Sequence, residues 1–224
     1  MKKQSGFTLI ELAIVLVIIG LLLGGVLKGQ ELINSAKVKN MATDFRNTPV
    51  YIYGYQDKFK ALPGDDTAAT AHLPASVPPV TGGNGNGVID GKWDSKTPAD
   101  ESIIFWQHVR LAGFAPGETV VNIAAGNTYL PKNADGGIIG ITNGSATNTP
   151  ISTLKGTYVV CSSGILGKFA KQIDINLDDG NTATGSVQVM AEATHPAAVG
   201  AAAIATTGVG GIDDATPYTV CQAF

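Results

Sequence analysis

Residues 7–27 form an almost uninterrupted apolar run, FTLIELAIVLVIIGLLLGGVL. Glu11 is the only charged residue in this run. An α-helix rises 1.5 Å per residue, so the run would be roughly 31 Å long, which matches the hydrocarbon core of a bilayer. Lys2 and Lys3 precede the run, and positive charge at this end predicts that the N-terminus stays in the cytoplasm. The sequence therefore predicts a membrane anchor joined to a body outside the inner membrane.

The remainder of the chain is polar, rich in glycine and mixed in composition. Across all 224 residues, 15 basic side chains oppose 18 acidic ones, which gives a formal net charge of −3. Charged residues make up 15% of the chain, compared with about 25% in an average soluble domain. The 44% hydrophobic content excludes a disordered chain. Because lysine and arginine do not cluster, no nucleic-acid partner is indicated.

A short motif marks the start of the apolar run, where residues 6–12 read GFTLIEL. This segment resembles the prepilin signature of type IV pilins and type II secretion pseudopilins. The resemblance implies that prepilin peptidase cuts between Gly6 and Phe7 and so removes residues 1–6 as a leader peptide. It also implies that the new N-terminal Phe7 is N-methylated, and that the apolar segment remains in the mature protein as an anchor and assembly helix.

Glu11 is unusual because it places a carboxylate inside the apolar helix. Such a group costs about 2.5–3.5 kcal/mol on membrane-insertion scales, so we expect it to have a partner. The amine freed at Phe7 of a neighbouring subunit would neutralise the charge and set the axial stagger of a filament. The alternative interpretation is a glutamate near a helix end that reaches the membrane surface.

A second apolar pattern continues the helix beyond the membrane. Mostly apolar residues recur at spacings of three and four after Lys28, which predicts one buried stripe: Val38, Met41, Phe45, Thr48, Ile52, Tyr55 and Phe59. The predicted helix therefore has an assembly half at 7–27 and an amphipathic half at 28–60. The aromatic and β-branched run at 50–55, which follows Pro49, leaves a strand as the alternative there.

Residues 61–224 are predicted to form a globular α+β head with an antiparallel sheet, on which the long helix packs. Thr97 and Pro98 have the residue types expected at the cap and first position of a second helix, which Gly113 ends. A short helix is predicted at 165–173, and residues 192–216 are predicted as a surface loop between the last two strands. Short β-like runs occur at 119–124, 137–142, 157–162, 186–191 and 218–224.

The two cysteines, Cys161 and Cys221, each fall inside a predicted strand. For a body in an oxidising compartment, one disulfide between them is the simplest interpretation. It is also similar to the disulfide-bounded C-terminal loop of pilins. Two buried free thiols are the alternative. The cysteines and histidines do not have the spacing of a zinc site.

The strongest metal candidate is the run NGNGVID at residues 84–90, which resembles the middle of a calcium loop. It departs from an EF-hand because Gly82 and Trp93 occupy the first and twelfth ligand positions. A plain Asn/Gly turn is the alternative, and the acidic pairs Asp178-Asp179 and Asp213-Asp214 are interpreted as turn and cap residues. The candidate calcium ligands are Asn84, Asn86, Val88 through its carbonyl, Asp90 and, in place of the missing acid, Asp94.

The sequence does not indicate an enzyme. His72, His108 and His195 lack metal-ligand spacing, and the chain contains neither a Walker loop nor a GxSxG motif. Apart from calcium, no cofactor is expected.

The leading hypothesis is a structural subunit of a type IV pilus-like filament, homo-oligomeric or mixed, assembled through its hydrophobic N-terminal helix. Expected partners are the inner membrane, prepilin peptidase and a pilus or secretion assembly machine. The head is expected in the periplasm before assembly, and then in an extracellular pilus or a periplasmic pseudopilus. The alternatives are a type II secretion pseudopilin and a membrane-anchored calcium- or ligand-binding module that does not polymerise.

Overall fold

The computed structural model describes residues 9–75, 79–123, 129–145, 147–192 and 195–224. The helices in these ranges are α1 (Leu9–Phe59), α2 (Ala69–His72), α3 (Glu101–Leu111) and α4 (Gly167–Leu177). The strands are β1 (Ile139–Asn143), β2 (Tyr158–Leu166), β3 (Val187–Ala191) and β4 (Pro217–Ala223). Between Lys37 and Val38 the chain divides into two compact units.

Helix α1 continues through Pro49 to Phe59. The predicted stripe is confirmed from Val38 to Tyr55, whereas its last member, Phe59, is half-buried. The buried residues of this helix are Val38, Met41, Ala42, Phe45, Thr48, Ile52 and Tyr55. The alternative of a strand at 50–55 is wrong. Ile52 and Tyr55 are buried whereas Val50 and Tyr53 are exposed, and burial at this spacing requires a helix rather than the alternating faces of a strand.

The four strands form an antiparallel sheet in the order β1-β2-β4-β3. In the central pair, Cys161 of β2 lies directly opposite Cys221 of β4. The register of this pair shifts between Ser162 and Ile165, and Gly164 in the bulge has a φ of +67°. Glycine suits this position because a Cβ would strain a backbone of positive φ. A long N-terminal helix with an antiparallel sheet confirms the predicted α+β class.

The main hydrophobic core of the second unit combines side chains from helices and strands. Phe45 of α1, Phe105 of α3 and Phe169 of α4 belong to it together with Val160 and Val220 of the central strands. Each of these residues is almost completely buried. The core therefore extends from the C-terminal half of α1 to the sheet.

Helix α3 is buried along nearly its whole length and holds neighbouring loops through polar side chains. Nδ1 of His108 accepts the backbone N–H of Gly64 at 3.0 Å, and Nε2 lies 2.8 Å from the carbonyl of Thr81. Burial lowers the pKa of His108, so the ring is neutral, with Nε2 as the donor. Arg110 donates to three backbone carbonyls beyond the helix, those of Pro116, Glu118 and Tyr129.

The predicted start of α3 is wrong. Its N-cap is Asp100 rather than Thr97, because the Asp100 carbonyl accepts the first helical hydrogen bond, from Ile104. The carbonyl of Thr97 instead accepts the N–H of Asp100 and closes a separate turn that contains Pro98. The predicted end is confirmed, since α3 stops at Leu111 and Gly113 follows with a φ of +84°.

The predicted strand at 119–124 is also wrong, because residues 119–123 are not in a strand and Ala124 lies outside the described residues. Two carbonyls in this region bind side chains of α3 instead of a neighbouring strand. The carbonyl of Glu118 accepts from Arg110 at 2.9 Å, and that of Thr119 accepts from Gln107 at 3.0 Å. These contacts hold the segment against the helix.

The remaining predicted elements are present, with shifted bounds. The helix predicted at 165–173 begins at Gly167, because Ile165 and Leu166 still pair with β4. Within the described part of 192–216, the chain forms no strand and makes one isolated bridge, from Ala201 to Ile151. This confirms a loop, although Ala197 and Ile212 are buried in the core.

Candidate functional site

The apolar segment at the start of α1 is exposed along its whole described length. Every large apolar side chain from Leu9 to Leu27 is accessible in the described chain, with Leu9, Leu21 and Leu27 more than 70% exposed. By length and composition α1 is able to cross a membrane. Water is an unfavourable surrounding for an apolar surface of this extent, so the segment requires lipid or other apolar helices.

Small residues interrupt this apolar surface at intervals of one helical turn. A Cβ placed on Gly20 or Gly24 would meet no atom within 4 Å in the described chain. In membrane helices, glycines at this spacing allow two backbones to approach closely. The segment therefore offers both a broad apolar surface and a place where a second helix can pack tightly.

Of the predicted processing and assembly residues, the structure describes one. Glu11 lies in the first turn of α1, where a negative charge also interacts favourably with the helix dipole. Its neighbours Ile10 and Leu12 are exposed. Gly6 and Phe7 lie outside the described residues, so the cleavage position stays a prediction.

Cys161 and Cys221 are joined by a disulfide, with the sulfur atoms 2.09 Å apart. Both residues are completely buried and face each other across the two central strands. The bond fixes the last strand of the chain to the middle of the sheet. The alternative of two free thiols is wrong.

The run predicted as a calcium loop, residues 84–90, is held by two acidic side chains outside it. Asp65 accepts the backbone N–H groups of Gly85, Asn86 and Gly87. Glu101 accepts those of Asn84 and Asp90, each at 2.9 Å. Sequence reasoning missed both acids because they lie far from the loop in the chain. The only sign of these acids in the sequence was the run of Asn and Gly residues at 84–87, whose backbone N–H groups have no obvious acceptors nearby in the chain.

The predicted calcium ligands Asn84, Asn86 and Asp90 lie together but bind one another. Oδ1 of Asn84 accepts the N–H of Asn86 at 2.9 Å, and Oδ1 of Asn86 accepts that of Val88 at 3.0 Å. Oδ2 of Asp90 accepts both asparagine side-chain amides, at 3.1 and 2.8 Å. These contacts are typical of Asx turns, and calcium binding by this loop stays a prediction.

Asp94, the predicted substitute for the missing acid, forms its hydrogen bonds outside the loop. Its Oδ2 lies 2.6 Å from Nδ1 of His195 and accepts the N–H of Ala197 at 2.6 Å. Nε2 of His195 lies 3.3 Å from Glu192. The hydrogen bonds that the ring donates to Asp94 and Glu192 raise the pKa of His195 to about 9, so the ring is positively charged at neutral pH.

Comparison with known proteins identifies the N-terminal segment. Residues 1–27 match the family described as the prokaryotic N-terminal methylation motif. No curated protein and no solved structure matches the chain. The match covers the apolar run together with the residues before it, and it confirms the resemblance seen at residues 6–12. The chain thus begins with the N-terminal methylation signal of type IV pilins and pseudopilins.

Proposed function

We propose that this protein is a structural, non-enzymatic subunit of a type IV pilus-like filament. One observation carries the proposal. The methylation motif at residues 1–27 is continuous with a helix whose large apolar side chains are exposed from Leu9 to Leu27. A pilin-like subunit needs such a surface twice, first against lipid and then against the helices of other subunits.

Assembly in this proposal begins with removal of residues 1–6 by prepilin peptidase between Gly6 and Phe7. The freed and methylated amine of Phe7 then meets Glu11 of a neighbouring subunit. Helices that leave lipid for a protein core gain little from the hydrophobic effect, because lipid tails are equally apolar. The charge pair supplies the missing specificity, since it satisfies the buried carboxylate in one axial register only.

The proposed location follows from the charge and the cysteine chemistry. Lys2 and Lys3 favour a cytoplasmic N-terminus and a head, residues 61–224, in the periplasm. The disulfide between Cys161 and Cys221 is consistent with that oxidising compartment. The proposed partners are prepilin peptidase, the inner membrane, further pilin subunits and an assembly machine.

A type II secretion pseudopilin is the second candidate, because the methylation motif is common to pilins and pseudopilins. The two candidates share processing and assembly. They differ in whether the filament extends from the cell surface or stays in the periplasm. Mechanical shearing releases surface fibres but leaves a periplasmic pseudopilus with the cells. The chain in the sheared fraction would favour a pilus, and retention with the cells would favour a pseudopilus.

The decisive test is the mass of the intact, membrane-extracted protein together with its N-terminal sequence. We expect a chain that begins at methylated Phe7 and is two hydrogens lighter than the reduced form. A chain that still begins at Met1 in cells with an active peptidase would contradict the proposal and favour an anchored module that does not polymerise. A start beyond residue 25 would indicate a secreted protein and would also contradict it.

A further inference from the structure

Three aspartates meet at the C-terminal end of α4. One carboxylate oxygen from each of Asp174, Asp178 and Asp179 lies within 4.8 Å of the other two. None of the three forms an ion pair with a lysine, arginine or histidine in the described chain. Three like charges this close repel one another unless a positive charge joins them.

Asp174 is the most informative of the three. It is 0% exposed, and neither of its carboxylate oxygens accepts a hydrogen bond of good geometry in the described chain. Burial raises the pKa of this carboxylate, and the backbone N–H of Gly180 acts in the opposite direction. A carboxylate removed from water without a partner is costly, and proteins compensate for it with a proton, a basic side chain or a metal ion.

The other two carboxylates are already held in place. Oδ2 of Asp178 accepts the N–H of Val187 at 2.9 Å. Oδ1 of Asp179 accepts the N–H of Asn181, and Oδ2 accepts the hydroxyl of Thr184, both at 2.8 Å. The side chain of Asp178 also packs on the backbone of Gly185, where a Cβ would collide with it. The chain thus fixes both groups without assistance from Asp174.

The surrounding backbone adds further negative potential. The last turn of α4 contains no basic residue, and the carbonyls at a helix C-terminus attract cations. Arg46 is close by, but its guanidinium contacts the carbonyl of Asn176, at 3.3 Å. Within the described residues, no lysine, arginine or histidine forms an ion pair with the three carboxylates.

We propose that Asp174, Asp178 and Asp179 bind a calcium ion. The donors are all carboxylate oxygens, which are the hard ligands that calcium prefers. Two of them belong to a surface loop, and calcium tolerates such irregular geometry better than magnesium, which demands a near-ideal octahedron. Asp179 is exposed, so water can complete the coordination. The ion would fasten the end of α4 to the loop before β3. This site is separate from residues 84–90 and does not depend on filament assembly.

The test is thermal unfolding and calorimetric titration of the full chain in detergent, with the disulfide intact and metal removed by EDTA. We expect calcium to raise the melting temperature of the natural protein. Asp174→Asn keeps the shape of the side chain but removes its charge. Without calcium it should melt at a higher temperature than the natural protein, and its calcium affinity should fall at least tenfold.

Two further variants complete the design. Asp179→Asn alters an exposed ligand and should also lower calcium affinity at least tenfold, which tests the site independently of the buried position. Asp57→Asn is the control, because Asp57 is exposed and pairs with Lys60 far from α4 in the sequence. Its calcium response should equal that of the natural protein.

Several results would overturn the proposal. One is the absence of any shift at about 10 mM calcium, near the weak end of extracellular sites. Another is an unchanged response in Asp174→Asn and Asp179→Asn. A response abolished by Asp90→Asn alone would place the ion at residues 84–90 instead. An equal response to magnesium would overturn the assignment of calcium.

Discussion

The carboxylate of Asp94 lies 2.6 Å from Nδ1 of His195, although 101 positions separate the two residues in the chain. Asp94 is completely buried, and the His195 side chain is 24% exposed. The pair ties the long loop at 192–216 to the segment that precedes α3. In the described chain, neither this segment nor the loop lies in a strand. The charged imidazole between Asp94 and Glu192 therefore links two regions that strand pairing does not hold together.

This link predicts that the free energy of unfolding falls as the pH rises from about 6.5 to about 9. In the unfolded chain His195 titrates near 6.5, and in the folded protein its pKa is about 9. The folded state therefore binds more protons within this window. The stabilisation is complete below the lower value and lost above the higher one, and it amounts to about 1–3 kcal/mol.

Urea unfolding of the detergent-solubilised protein at a series of pH values measures this dependence. His195→Gln should flatten the slope between the two pKa values. Lys96→Gln removes an exposed positive charge and should leave the slope unchanged. If the natural protein were equally stable at both ends of the window, the charged pair would be disproved.

The disulfide predicts a large loss of stability when both cysteines are replaced. Cys161→Ala together with Cys221→Ala removes the cross-link without introducing a buried polar group. We expect the free energy of unfolding to fall by about 2–5 kcal/mol, mainly because the unfolded chain gains freedom. The urea midpoint of the double variant should equal that of the reduced natural protein. Equal midpoints for the oxidised and reduced natural protein would contradict this account.

Because Asp65 accepts three backbone N–H groups of residues 84–90, the loop should weaken when this carboxylate is altered. Asp65→Asn replaces one of its two acceptor oxygens by an amide that faces backbone N–H donors. We expect the free energy of unfolding to fall by about 2–4 kcal/mol, and amide exchange at Gly85 and Gly87 to accelerate. Asp57→Asn serves as the exposed control. Unchanged exchange at these glycines in Asp65→Asn would show that the loop is held by other contacts.

Periodic apolar patterns predicted the fold well, because burial imposes them directly on the sequence. The stripe from Val38 to Tyr55 predicted the helix through Pro49, and short β-like runs predicted the strands of the sheet. The strand predicted at 119–124 failed for a tertiary reason. The carbonyls of Glu118 and Thr119, where the predicted strand would begin, are bound by side chains of α3, and the local sequence contains no trace of those partners.

Polar side chains whose partners lie far away in the sequence were also not predicted, because the local sequence contains no trace of those partners. Asp65, Glu101 and His195 bind groups that lie far away in the chain. Asp174 is a different case, because it shares a buried helix face with Ala170 and Ile173. An acid on an apolar face has no periodic signature, and the adjacent Asp178 and Asp179 resembled ordinary turn residues. Burial without a partner distinguishes Asp174, and only the structure supplies that observation.

Glu11 yields the sharpest prediction for assembly. Glu11→Ala removes a carboxylate whose insertion costs about 2.5–3.5 kcal/mol, so the variant should enter the membrane at least as well as the natural protein. Its incorporation into filaments should nevertheless fall at least tenfold, because the amine of the neighbouring Phe7 loses its partner. Glu11→Gln should fail similarly, since the amide lacks the charge.

Glu31→Ala, which removes an exposed glutamate paired with Lys28 on the same helix, should assemble normally. Quantitative immunoblots of the membrane and filament fractions measure both steps. Normal incorporation of Glu11→Ala would disprove the charge pair, whereas loss of the variant from the membrane would show that Glu11 acts before assembly.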